Sequence, residues 1–89
     1  MEIQEVRKRI VDAKAYLEDY RMYGSMVTEA IDALDRLDEM VANLREEHLA
    51  EAMRIAEELN NRLEPYRGYV PTLARYMDQI LEWLGSQKG

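Results

Sequence analysis

His48 is the chain's one imidazole, the side chain most easily tuned near neutral pH. A general base or metal ligand there needs acidic company, and Glu47 and Glu51 are its near neighbours. The di-iron bundle pattern places a glutamate three residues before the histidine. Position 45 is Arg45, so that chemistry is not written here. The other reading of His48 is a polar side chain on an apolar seam, which fixes helix register. Carboxylates come in pairs at Asp38–Glu39, Glu46–Glu47 and Glu57–Glu58. Oxygen donors clustered in this way are what a hard divalent cation requires. A third group is aromatic: six tyrosines and one tryptophan, with no phenylalanine. Tyrosine suits surfaces that are apolar yet partly wet. The run Pro65–Tyr66–Arg67–Gly68–Tyr69–Val70–Pro71 sets an arginine between two tyrosines, the composition of an interface hot spot. With Tyr76 and Trp83 further on, it forms the candidate partner contact: Tyr66, Arg67, Tyr69, Tyr76 and Trp83.

The paired acidic residues resemble the Glu-rich helices with which all-α nucleotide pyrophosphohydrolases hold Mg²⁺ against a pyrophosphate. That resemblance implies, as an alternative function, a metal-dependent hydrolase centred on Glu47, Glu51 and Glu58. The motif spacing of that family is not reproduced.

Composition narrows the classes. The chain has 89 residues, no cysteine, 12 basic and 18 acidic side chains and a net charge of −6. Without cysteine there is no disulfide scaffold, thiolate metal site or thiol nucleophile. A net negative charge disfavours binding to a phosphate backbone, so nucleic acid is not an expected partner. No apolar run reaches the ~20 residues of a membrane span, and the N-terminus begins charged rather than as a signal peptide. A cytoplasmic protein without cofactor is the expectation. Acidic residues concentrate between positions 28 and 64, where eleven face four basic ones. Asp32, Asp35, Glu39 and Glu46 share one face there. A solvated outer surface is the plain reading, and an acidic inhibitor that mimics nucleic acid is a further alternative.

The elements that must position these groups are helical throughout. Ala, Leu, Met, Glu and Arg dominate and β-branched residues are few. Ile3, Val6, Ile10, Ala13, Leu17 and Tyr20 step by three and four, which predicts a first helix over 2–23. Gly24 fits a left-handed helix end, and Ser25, or alternatively Thr28, is the candidate cap for the next helix. From Val27 through Ala30, Leu34, Leu37, Val41 and Leu44 to His48 the same spacing continues. No Gly or Pro interrupts residues 25–64, so the spacing predicts one continuous helix over 26–63, some 55 Å long at ~1.5 Å per residue. Pro65 pushes the residue before it out of the helical region, leaving 64–70 as an extended connection. Pro71 opens a last helix over 71–84, which Gly85 stops before a fraying tail.

The fold class follows as all-α, one domain over 1–89, with three antiparallel helices and a long central one. Two amphipathic helices in a layer cannot enclose a core against a backbone entropy cost of ~1–2 kcal/mol per residue. A homodimer is therefore expected, a coiled-coil-like bundle whose self-association seam is Val27, Leu34, Leu37, Val41, Leu44 and His48. The alternative is a break near Asn43–Glu47, which would let a monomeric up-down four-helix bundle close its own core. The functional expectation is a non-enzymatic helical interaction module: a small regulator, adaptor or assembly subunit.

Overall fold

The computed structural model describes residues 2–87. Among the described residues there are four α-helices and no strand: α1 (Ile3–Glu18), α2 (Ser25–Ala42), α3 (Glu46–Leu63) and α4 (Pro71–Ser86). Short 3-10 turns, Arg21–Tyr23 and Glu64–Tyr66, lie in the first and last connections. Successive helices pack side by side and α4 closes against α1. The result is a helical bundle of 37 × 21 × 20 Å.

Each helix buries the stripe its spacing dictates. Val6, Ile10 and Ala13 of α1 meet Leu34, Leu37 and Val41 of α2 in one core, with Ala52, Ile55, Ala56 and Leu59 of α3. The wide face of α4 completes it with Leu73, Met77, Ile80, Trp83 and Leu84. No polar or charged residue is buried, among the described residues. Charged clamps tie α1 to α2 from outside. Arg7 donates twice to the carboxylate of Asp38, at 3.0 and 3.3 Å, and Lys14 pairs with Asp35. The bidentate contact with Asp38 raises the Arg7 pKa above its ordinary value. Two carboxylates from the acidic stretch are thus met by cations of α1.

The continuous central helix is not what forms. Ala42 ends α2, and the side-chain and backbone N–H groups of Asn43 both donate to the Glu39 carbonyl, at 3.4 and 3.2 Å. Arg45 is extended (φ −124°, ψ 156°) and leads into α3. Glu46 and Glu47 then sit in its first turn, where the positive end of the helix dipole favours them. Nothing local forbids helix at 43–45, but the competing energies are unequal. Leaving the helix costs each ordinary residue at most about 0.7 kcal/mol of propensity. Folding α3 back buries side chains worth about 1.5–3 kcal/mol each for the large aliphatic ones. Burial wins, and the four-helix alternative is the one realised.

Smaller departures have local causes. The first helix stops at Glu18 instead of Tyr23, because the chain tightens into the 3-10 turn. Gly24 adopts φ 121° and ψ −175°, an extended conformation of positive φ open to glycine rather than the left-handed helical one. Ser25 is the first residue of α2, not its cap. The connection at 64–70 is a compact turn rather than an extended strap. Gly85 lies inside the last turn of α4 and does not stop it. The fraying expected of the tail 86–89 does not begin at Ser86, which is helical, or at Gln87, whose backbone N–H donates to the Leu84 carbonyl; residues 88–89 lie outside the described ones.

Candidate functional site

The two connections that carry 3-10 turns lie at the same end of the bundle, because α1 and α3 finish there and α2 and α4 begin there. Eight large apolar side chains are exposed among the described residues, and six belong to this end: Tyr20, Met22, Tyr23, Met26, Tyr66 and Tyr69. Met22, Tyr69 and Tyr23 are 85%, 84% and 74% exposed. All of the six but Met22 line a cavity of about 570 Å³, inside the range of small-molecule sites. Its floor is the core itself, made of Leu34, Leu59, Leu73 and Met77, all buried. Its walls include Leu17 of α1, Val27 of α2, Leu63 of α3 and Val70, the residue before α4.

The tyrosines organise the mouth. Tyr16 and Tyr20 stack with ring centroids 5.4 Å apart, and Tyr20 meets Tyr23 at 5.8 Å. A hydrogen bond with Tyr20, then burial, pushes the Tyr16 pKa above the usual tyrosine value. Among the described residues, Arg62 is the one charged side chain lining the cavity. Its Nη1 lies 3.5 Å from a carboxylate oxygen of Glu29, with both side chains more than half exposed. Arg62 also borders a second hollow of about 170 Å³ between α2 and α3, lined by Arg36, Arg54 and Glu58. There Arg54 binds Glu51 at 2.8 Å and Glu58 at 2.9 Å, while Arg36 reaches Glu51 at 3.6 Å. These bonds to Glu51 and Glu58 raise the Arg54 pKa.

The expected site residues separate into three groups. Leu34, Leu37 and Val41 lie in the chain's own core, with Leu37 fully buried. A second copy of the folded chain has no access to them, because α3 and α4 already cover that face. Val27 lines the cavity wall, and Leu44 packs half-buried on the core. The bend at 43–45 takes His48 off the seam altogether. Its side chain is 44% exposed, Nε2 stands 4.0 Å from Glu47, and Nδ1 is buried without a hydrogen-bond partner.

Of the expected partner contacts, Tyr66 and Tyr69 stand open at the cavity mouth. Arg67 does not face outward as an anchor. It donates to Asn60 at 2.9 Å and to Asp78 at 2.5 Å, pinning the turn to α3 and α4. Tyr76 is half-buried with Arg9 over its ring at 6.0 Å, and Trp83 is 7% exposed in the core. Neither belongs to the open end. The 3.6-residue period of α4 points Trp83 inward together with Ile80 and Leu84.

Tyr16, Tyr20 and Tyr23 at the end of the first helix are legible in the sequence as an aromatic group but not as part of the contact, and Met26 carries no such signal. The signal available was Gly24, a turn that returns this segment to the end where Pro65–Pro71 also turns. The carboxylates of the hydrolase reading do not converge. Glu51 and Glu58 are held by Arg54, and Glu47 lies beside Arg45 and His48. Among the described residues, no three His, Cys, Asp or Glu side chains are grouped to hold a metal ion. No helix among them is long and apolar enough to cross a membrane.

Compared with known protein families, with curated proteins and with solved structures, the chain has no match.

Proposed function

We infer that the chain is a non-enzymatic helical interaction module whose contact surface is the tyrosine-ringed open end of the bundle. The observation that carries this reading is the gathering of Tyr20, Tyr23, Met26, Tyr66 and Tyr69 around one mouth, with exposed Met22 in the same turn as Tyr23. Scattered apolar side chains on a surface need no explanation, but a contiguous patch marks a contact. Tyrosine and methionine are the residue types enriched in such patches.

The cavity is too small to take a partner helix whole. A helix with its side chains is ~10–12 Å across, so about one turn would fill the space. A protein partner therefore lies on the rim and inserts side chains. The homodimer expectation moves here from the α2 seam. A second copy is the first partner to consider, since two-fold pairing of identical patches is the commonest oligomer. Each rim would cover the other's tyrosines.

Absolute mass by light scattering tests this, with the wild type beside a Met22→Glu/Tyr69→Glu variant. Both positions are exposed, so the variant keeps its fold. The expected result is twice 10.5 kDa for the wild type and the single-chain mass for the variant. A monomeric wild type removes self-association. If a photo-crosslinker at position 69 then yields no discrete adduct, beyond that from a control at exposed Glu57, the module reading falls.

A further inference from the structure

We propose that the cavity below the rim is a binding site for a single-chain amphiphile with one anionic head, a fatty acid or comparable monocarboxylate. The inference goes beyond the rim as a protein contact, and neither depends on the other.

The tail is specified by the floor. Leu34, Leu59, Leu73 and Met77 present hydrocarbon and a thioether from three helices, and no polar side chain stands among them. Such a cavity does not hold ordered water, because a buried water needs two or more polar partners. Apolar matter entering it gains the transfer free energy of its own surface and that of the floor. Four of the lining tyrosines, Tyr20, Tyr23, Tyr66 and Tyr69, are exposed while the floor residues are buried, so the lining passes from hydrocarbon below to hydrogen-bonding groups at the open side.

The head is specified by charge. Arg62 is the one charged side chain on the lining of the described residues, and it is placed at the junction with the arginine-lined hollow. The three arginines bordering that hollow are not equally engaged. Arg54 is held by two carboxylates at under 3 Å, whereas Arg62 has one contact at 3.5 Å. A guanidinium carries five N–H donors in a fork that fits a carboxylate. Arg62 therefore has donors to offer, and its exposed ion pair with Glu29 is of the kind worth little in water. Glu29 repels a second anion, so the head displaces it from Arg62 rather than joining it. One charge on the head is what a single arginine can neutralise.

The test uses decanoate and decanol below their micellar and solubility limits, titrated into the full chain by calorimetry and by amide NMR. Decanoate is expected to bind saturably, one per chain, with the largest shifts at Leu34, Leu73 and Met77. Decanol, with the same tail and no charge, is expected to bind more weakly. Arg62→Gln should weaken decanoate about tenfold, the loss of one charge-assisted hydrogen-bonded contact, and leave decanol unchanged. Arg62 is more than half exposed, so this substitution spares the fold. Ala30→Trp, which puts bulk into the cavity from its half-buried wall position, should weaken both ligands. Decanol binding as tightly as decanoate overturns the proposal. So do shifts centred away from the cavity, an Arg62→Gln variant with wild-type affinity, and the absence of saturable binding at millimolar ligand. Repeating the titration on the Met22→Glu/Tyr69→Glu variant separates the two readings, since a lost dimer with retained decanoate binding affects only the first.

Discussion

Arg67, in the turn between α3 and α4, reaches the carboxylate of Asp78 in the second turn of α4, with an N–O distance of 2.5 Å. Its other terminal nitrogen donates to Asn60 of α3. One guanidinium thereby sets how the last two helices diverge at the open end. The tyrosines on either side of it, Tyr66 and Tyr69, stand exposed at that end.

Arg67→Ala should therefore lower stability rather than act on a partner directly. The expected loss is about 1 kcal/mol, the scale of an exposed charge-assisted pair with a second hydrogen bond. Urea unfolding measures it, and Asp78→Asn should lose a similar amount. If Arg67→Ala unfolds like the wild type but fails to self-associate, Arg67 is an interface anchor after all.

Two glycines should respond in opposite directions to alanine. Gly24 has φ 121°, and an added Cβ would meet no atom within 4 Å. Its substitution cost is thus pure backbone strain, about 1–3 kcal/mol. Gly85 lies in the last turn of α4, also with open space around a Cβ. Alanine there restricts the unfolded chain and should stabilise by about 0.4–1 kcal/mol. Thermal midpoints moving in the same direction would contradict this account.

Leu37 distinguishes core from interface. Leu37→Ala should cost about 2–5 kcal/mol, the range for a fully buried leucine, at any protein concentration. Leu37→Asp should leave the chain unfolded, since an unpaired charge cannot be accommodated there. Circular dichroism reads both. A folded Leu37→Asp chain of altered mass would return the seam to the role of a dimer interface.

Acid and alkali should act at the same end of the molecule. Hydrogen bonding to Arg21 lowers the Glu18 pKa below its ordinary value. A depressed carboxylate contributes stability above its unfolded pKa and loses it as pH falls through the folded value. Tyr16 is the opposite case. Its raised pKa gives a contribution present below the usual tyrosine value, lost as pH climbs through the folded one. Tyrosinate absorbance should show a late-titrating tyrosine that moves down in Tyr20→Phe, and Glu18→Gln should flatten the acid limb of stability. A tyrosinate curve unchanged by Tyr20→Phe would remove the hydrogen bond as its cause.

The sequence by itself determined what depends on near neighbours. The three-and-four spacing of Val6, Ile10 and Ala13, and of Leu34, Leu37 and Val41, named buried faces because helical periodicity is set within two turns. Pro71 opened α4 because proline fixes its own φ and keeps Val70 before it out of the helical region. Glu64 before Pro65 instead stays helical (φ −47°, ψ −47°), and α3 tightens directly into the 3-10 turn, contrary to the expectation from Pro65. The tertiary structure decided where α2 parts from α3. Asn43, Leu44 and Arg45 carry no strong breaker, and the bend exists because folding back buries more apolar surface than the lost helix is worth. That choice took Leu34, Leu37 and Val41 out of reach of a second copy and turned His48 off the seam. It also built the open end from two segments, Tyr20–Met26 and Arg62–Val70, which no local pattern joins. Their meeting is a consequence of how four helices share one core, and only that packing leaves the tyrosines outside with a cavity between them.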